Sequence, residues 1–285
     1  MLLGVHCSIR NSLLHALDEA RRKNCNTIQI FTKSPRAWRL KSIPLKEIAA
    51  FNSARKKLGV SPLVIHIPYL PNLATSDDKL YLKSTEALVS EIKTADMLKA
   101  DYFIIHPGAY SINSTFDEGI SRITDALNKA IRKMLKPGSR LVILLENVAG
   151  GGRRIGRDFK EIKKIIDGIK DKTRIGVCLD TAHLVAGGYD ISDKKSVDKT
   201  IEAFDKIIGI NYLKVIHLND SKAARGSFRD RHEHIGKGAI GIDGFRAIVN
   251  HPLLKNLPFI LETPKDTPTA DDRNLRTVRG LKFPS

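Results

Sequence analysis

Six short apolar runs in this 285-residue chain end on a group able to bind a metal ion. PLVIHIP from 62 carries His66, YFIIHPG from 102 carries His106, and LVILLENV from 141 carries Glu146. RIGVCLDT from 174 ends on Asp180 with His183 close behind, LKVIHLND from 213 carries His217 and Asp220, and PFILETP from 258 carries Glu262. The segment Asp230-Arg231-His232-Glu233-His234 follows soon after the run at 213. Any one of these imidazoles taken alone is an ordinary core or surface group. Together they are costly, because several carboxylates crowded at strand ends without compensation raise the free energy of the folded state. Divalent cations would supply the compensation. Nitrogen and oxygen donors without thiolate suit zinc in a catalytic setting, with manganese or iron as chemically allowable substitutes. Taking one imidazole and one aspartate from the segments after the run at 213 gives five histidines, two aspartates and two glutamates. That is too many for one tetrahedral ion and about right for three that share a bridging carboxylate. Three such ions against four carboxylates leave a net charge of about +2, suited to a phosphate group and to phosphoester hydrolysis.

The elements that must hold these groups follow from the spacing. Two further apolar runs, LLGVHCS from 2 and TIQIFT from 27, bring the number to eight, with room for a helix after each. Helical periodicity with charged faces is visible at 12–23, 84–99, 117–135, 158–170, 196–208 and 242–250. Near-continuous apolar strands alternating with helices mean parallel strands buried on both faces. Eight units predict a (β/α)8 TIM barrel, an α/β fold whose active sites lie at the carboxyl ends of the strands. An open doubly wound sheet would need a glycine-rich first turn, which Cys7-Ser8-Ile9-Arg10-Asn11 lacks. The GxGxxG match at Gly236, Gly238 and Gly241 follows a long polar loop rather than a strand, and reads as a loop. No interdomain linker stands out, so residues 1–285 are expected to form a single domain, with 266–285 a polar, basic, partly mobile tail.

Composition narrows the partners. The chain is 42% hydrophobic and 28% charged, with 48 Lys and Arg against 31 Asp and Glu, for a net charge of +17. A pI near 9.8 points to a polyanionic partner. No run of 18 apolar residues and no signal-peptide core are present, which argues against a membrane and for an intracellular protein. Cys7, Cys25 and Cys178 form no CxxC pair and are expected to be buried thiols.

GVCLDTAHL from 176 with GYD at 188, and HLNDSKAARGSFRDRHEHIGKGAIG from 217, are long and irregular. With LENVAGGG from 145 and FTKSPRAW from 31, they resemble endonuclease IV, the metal-dependent apurinic/apyrimidinic endonucleases of base-excision repair, over nearly the whole chain. The resemblance implies zinc ligands at His66, His106, Glu146, Asp180, His183, His217, Asp230, His232 and Glu262, and so prefers His232 to His234. It implies one ion on His66, His106 and Glu146, a second on Glu146, Asp180, His217 and Glu262, and a third on His183, Asp230 and His232, with manganese a possible substitute. It further implies that Arg36, Tyr69 and Leu70 enter the duplex at the lesion. Lys222, Arg225, Arg229 and Arg231, with Arg153, Arg154 and Arg157, are candidate phosphate contacts. The chain departs from the family pattern at Asn11-Ser12, Ser34-Pro35 and Val148, positions that bear on DNA contacts and not on the metal ligands. His6 is open between a role behind the ligands and an ordinary core imidazole.

The expected function is therefore that of a monomeric, cytoplasmic, nucleoid-associated DNA-repair hydrolase with three zinc ions. Its partner would be double-stranded DNA containing abasic sites or blocked 3′ ends. Cleavage 5′ to the abasic site would leave a 3′-hydroxyl and a 5′-deoxyribose phosphate, with Glu262 and Glu146 the catalytic carboxylates and Glu262 positioning the attacking hydroxide. Removal of blocked 3′ ends would be a second activity. The rivals are a sugar isomerase or epimerase, for which a charge of +17 has no use, and a DNA-damage binding protein without chemistry.

Overall fold

A computed structural model describes residues 1–10, 12–34, 37–38, 43–134 and 138–283. All eight apolar runs are strands: β1 (Leu2–Val5), β2 (Ile28–Ile30), β3 (Leu63–His66), β4 (Tyr102–Ile105), β5 (Val142–Glu146), β6 (Ile175–Asp180), β7 (Leu213–His217) and β8 (Pro258–Leu261). Each pairs in parallel with its chain neighbour from β2 round to β8, and β8 pairs with β1. The ring closes between β1 and β2 through one parallel bridge, His6 to Gln29. Gly4 permits that close approach: a Cβ there would stand 1.8 Å from the Thr27 carbonyl oxygen, so a side chain would hold the two backbones apart.

The alternation within each strand explains where the chemistry sits. Val64, Ile104, Leu144, Cys178, Val215 and Ile260 fill the barrel interior as a cluster of their own. Their neighbours, among them Leu63, Ile65, Phe103, Ile143, Val177 and Phe259, point outward into the larger core shared with the helices. Because side chains repeat every second residue along a strand, the next inward position after each plug residue is His66, His106, Glu146, Asp180, His217 and Glu262 in turn. The apolar layer is thus a floor for a polar ring at the carboxyl ends of the strands.

Around the sheet lie α1 (Leu13–Arg22), α2 (Leu45–Leu58), α3 (Asp78–Met97), α4 (Phe116–Met134), α5 (Phe159–Gly168), α6 (Thr181–Gly187), α7 (Lys194–Ile207), α8 (Gly241–Asn250) and α9 (Ala270–Leu281). The start of α3 is earlier than its apolar spacing suggests, because the Asp77 side chain caps the Leu80 N–H at 3.1 Å. The segment expected to be a mobile tail is largely α9. Its Leu275, Val278 and Leu281 are buried against the main core, so what reads as polar in sequence is one exposed face of an amphipathic helix. Cys7, Cys25 and Cys178 are free and buried. Among the described residues no helix is long and apolar enough to cross a membrane.

Candidate metal centre

The six strand-end groups converge, and helix α6 and the loop after β7 bring three more residues, His183, Asp230 and His232, to them. His66 Nε2 and His106 Nε2 each lie 2.9 Å from Glu146 Oε2, while His217 Nδ1 lies 2.9 Å from Glu146 Oε1 and 3.4 Å from Glu262 Oε2. His183 Nε2 is 3.2 Å from Asp230 Oδ2, and His232 Nε2 is 3.4 Å from Asp230 Oδ1 and 3.7 Å from Asp180 Oδ2. Three groups are compact enough to hold a cation each: His66, His106 and Glu146; Glu146, Asp180, His217 and Glu262; and Asp180, His183 and His232. Asp230 stands at the open side of the last group, about half exposed, whereas Asp180 is fully buried between the second and the third.

The outer nitrogens of the rings show that these groups fit metal ions. His66 Nδ1 is 2.6 Å from the Ile67 carbonyl, His183 Nδ1 is 2.9 Å from the Asn147 carbonyl, and His232 Nδ1 is 3.0 Å from the Glu262 carbonyl. His217 makes the equivalent contact with the other nitrogen, Nε2 lying 2.7 Å from Gln29 Oε1. A carbonyl only accepts, so each of these nitrogens carries a proton, and the other nitrogen of each ring, turned toward a carboxylate, is left to hold either a second proton or a metal ion. Lone pair against carboxylate is repulsive unless a cation lies between. His183 Nε2 and His232 Nε2 are buried and have no hydrogen-bond partner among the described residues. Ligand atoms about 2.0–2.2 Å from a tetrahedral zinc lie roughly 3.3 Å from one another, the range of the separations above. The arrangement of an outer N–H held by protein and an inner nitrogen turned to the centre is that of metal-ligating imidazoles.

Charge balance agrees. Burial works against the imidazolium of His183, but Asp180, Asp230 and Glu146 outweigh it and push the ring up to about 10. His217 is likewise raised far above its ordinary value, by Glu262 and Glu146 among others acting against desolvation. Burial alone would raise Glu146 and Glu262, yet the neighbouring histidines hold both carboxyls well below the usual range. The centre has more negative charge than its own protons comfortably offset, the condition under which divalent cations displace protons.

Local sequence explains the placement. Asp180 is both a strand end and the cap of α6: its Oδ1 accepts the His183 N–H at 2.9 Å, which sets His183 one turn into the helix and leaves Oδ2 facing the centre. Gly150, Gly151 and Gly152 have φ of 88°, 85° and 59°, a left-handed run suited only to glycine. It folds the loop after β5 beneath Phe228, in the loop that carries Asp230 and His232. Asp220, also at a strand end, is not in the centre. Its carboxylate accepts the N–H groups of Ser221, Gly238 and Ile240 at 2.8, 2.9 and 3.0 Å, so the GxGxxG match is a loop wrapped on Asp220. His234 turns away as well, to Asp266 at 3.2 Å and Asn274 at 3.0 Å.

Three buried amides next to the ligands were not legible as site residues. Gln29 contacts His217, Glu262 and His6; Asn147 accepts the Asp180 N–H at 2.6 Å; Asn219 donates to Asp180 Oδ2 at 2.7 Å and accepts the Glu262 N–H at 2.7 Å. An amide within an apolar run was the available signal.

Of the candidate DNA contacts, Tyr69 and Arg154 line the groove at the mouth of the centre. Tyr69 is 63% exposed, with its ring 6.0 Å from His66, 6.1 Å from His106 and 5.7 Å from Phe31; Leu70 beside it is half-buried. A groove of about 340 Å³ runs past Tyr69, Asn72, His106, Arg154, His183 and Asp230. Lys222, Arg225, Arg229, Arg231 and Arg153 are exposed, and Arg225 is paired with Asp190. Arg157 lies over the Phe228 ring at 5.2 Å. Arg36 lies outside the described residues.

A family model described as "Xylose isomerase-like TIM barrel" matches residues 17–283. The probable endonuclease 4 of Halothermothrix orenii is 47% identical over 282 residues, covering 99% of each chain. The chain belongs to the endonuclease IV family. The crystal structure of endonuclease IV from Thermus thermophilus superposes with a TM-score of 0.87 at 34% identity, over 99% of this chain and 98% of that one. A D-tagatose 3-epimerase-like protein, at 19% identity and a TM-score of 0.72 over 99% and 95% of the two chains, shares the fold alone. The endonuclease IV family is metal-dependent, and the clustered histidines and carboxylates of this chain are able to serve that need.

Proposed function

We propose that this chain is a DNA-repair endonuclease that hydrolyses the phosphodiester 5′ to an abasic site, leaving a 3′-hydroxyl and a 5′-deoxyribose phosphate, and that it also trims blocked 3′ ends. The observation that carries the reading is the set of four histidines whose outer nitrogens are committed to protein acceptors while their inner nitrogens face four shared carboxylates. His66, His106 and Glu146 would hold one zinc ion, Glu146, Asp180, His217 and Glu262 a second, and His183, Asp230 and His232 a third, with Asp180 near enough to the third group to assist. Zinc bound there would lower the pKa of water and offset the charge of the phosphate on both its attacking and its leaving sides.

The protein's own groups do the rest. Glu146, completely buried, and Glu262, whose side chain is 16% exposed at the mouth, are held in fixed positions by their histidine neighbours and would orient the attacking water. Tyr69 and Leu70, at the rim next to His66 and His106, would fill the space that a missing base leaves and offset the cost of opening the stack, which is least where a base is already lost. Lys222, Arg229 and Arg231 would take the flanking phosphates, and Arg36 would enter the duplex. Residues 1–285 would act as one catalytic domain and as a monomer, in the cytoplasm at the nucleoid.

Elemental analysis of the purified protein, coupled to incision of a synthetic duplex with one abasic site, tests the proposal. Incision should stop with a chelator and return with zinc, manganese substituting in part. A zinc-loaded sample that leaves the duplex whole would sink it.

A further inference from the structure

We infer that Gln29 is a positioning residue for the metal centre, resting on the zinc reading above: its single amide fixes which nitrogen of His217 and which oxygen of Glu262 face the ion. Gln29 is completely buried, in the short strand β2 whose flanking Ile28 and Ile30 point to the outer core. Its Oε1 is 2.7 Å from His217 Nε2, and its Nε2 is in contact with Glu262 Oε1 and 3.0 Å from His6 Nδ1. A glutamine amide has one acceptor end and one donor end, and Glu262 decides which way round it sits. A carboxylate oxygen cannot accept from a carbonyl oxygen, which has no proton to give, so the NH2 faces Glu262 and the carbonyl faces His217. The carbonyl then requires a proton on His217 Nε2, which leaves Nδ1 as the only lone pair His217 can offer. The NH2 meanwhile occupies Glu262 Oε1 and leaves Oε2, 3.4 Å from that Nδ1, as the free oxygen. Both groups belong to the same ligand cluster, so one side chain sets two of its four donors.

His6 completes the arrangement. Its Nδ1 lies within reach of the Gln29 NH2 and 3.5 Å from Glu262 Oε1, and its ring stacks at a tilt on Phe31, centroids 4.3 Å apart. The backbone bridge between His6 and Gln29 is also the seam at which the barrel closes. Closing the barrel and orienting the centre are therefore done by the same pair of residues.

Gln29→Met keeps the length of the side chain and removes both polar ends. Zinc held by the Glu146, Asp180, His217 and Glu262 group should then be lost to a competing chelator at a concentration about 10- to 100-fold lower than in the wild type, the other two ions being retained. The kcat for abasic duplex should fall while KM stays put, since a fully buried residue does not touch DNA. In proton–nitrogen correlation spectra of the zinc-loaded protein, the slowly exchanging His217 Nε2–H signal should disappear in Gln29→Met. The same signal should persist in Gln29→Glu, which keeps an acceptor facing the ring and decides the matter if the Met variant does not fold. A Gln29→Met protein that holds three zinc ions as tightly as the wild type, or a His217 signal absent from Gln29→Glu, would overturn the inference while leaving the zinc reading intact. Wild-type protein that takes up no zinc would overturn both.

Discussion

At the scale of single residues, the centre separates groups that hold charge from groups that hold geometry. Glu262 belongs to the first kind: it is half-buried, faces His217, and is kept ionised by that ring and by His6. Glu262→Gln preserves its shape and removes its charge. Incision of abasic duplex should then drop by more than about 100-fold, beyond what loss of a group one shell further out brings, and one of three zinc ions should be lost on dialysis. Unchanged DNA processing in that variant would mean that the metal centre is not the engine. Tyr69 is of another kind, exposed at the rim with its ring tilted against two ligand rings, centroids 6.0 and 6.1 Å away. Tyr69→Ala should weaken binding of abasic duplex by about 10-fold, the worth of one stacked ring, with zinc content unchanged, as gel-shift titration and elemental analysis would report. The same distinction marks what was readable in the sequence. Although one of them alone can serve to hold a loop instead, as Asp220 does, carboxylates and imidazoles at strand ends announce themselves as a set. Gln29 does not, since one amide in an apolar strand is meaningful only once its three partners, distant in sequence, are known.

At the scale of elements, the eight strands were legible because a parallel strand buried on both faces has to be apolar throughout, and the same period of two that seats the plug layer seats the ligands above it. Helix α2 does not stand out in the sequence, because it buries only Ile48 and Phe51 and leaves Leu45 and Leu58 exposed, so no continuous apolar face marks it. Helix α9 reads as tail in the sequence because its exposed face carries Arg273, Arg276 and Arg279, while the buried face is brought into play only by docking. Part of that docking is electrostatic. Lys23 on the end of α1 meets Glu19 of the same helix and Asp271 of α9, the latter at 2.8 Å, with side chains 16%, 10% and 5% exposed. Burial would depress the Lys23 ammonium, but Asp271 and Glu19 outweigh it and push it up to about 12. Burial would likewise raise Glu19, but Lys23 and the Ser8 N–H hold it below its ordinary 4.5. Stability from the raised lysine is present below its ordinary 10.5 and lost as pH climbs through about 12. Stability from the lowered carboxyl is present above 4.5 and lost as pH falls through its folded value. Lys23→Met should therefore cost about 2 kcal/mol across the neutral range, and its deficit in Tm against the wild type should shrink at both acid and alkaline ends. A deficit that does not vary with pH would assign the loss to packing of the lysine stem instead.

At the scale of the whole molecule, the net charge of +17 and the metal centre make separable contributions to the proposed encounter with DNA. Lysines and arginines that neutralise phosphates release counterions, so the logarithm of the binding constant falls linearly with the logarithm of salt concentration. If six to ten phosphates are met, affinity should fall by about 10³ to 10⁵ between roughly 50 and 200 mM salt. Ions caged among buried carboxylates carry little of that field outward, so stripping zinc with a chelator should abolish incision while leaving the salt slope almost as it was. The contributions of individual cations can be ranked from their surroundings. Lys222 is exposed on the loop after β7 and makes no side-chain ion pair within the chain among the described contacts, so Lys222→Ala should reduce the slope by about 1. Arg225 already spends its charge on Asp190, and breaking that pair offsets much of what a phosphate contact would gain, so Arg225→Ala should change the slope less than Lys222→Ala does. Binding measured by fluorescence anisotropy over a salt series, with and without chelator, reads both effects. A slope near zero would show that the basic surface is not directed at a nucleic acid backbone, and a slope that collapses with zinc removal would show that the ions and not the side chains gather the DNA.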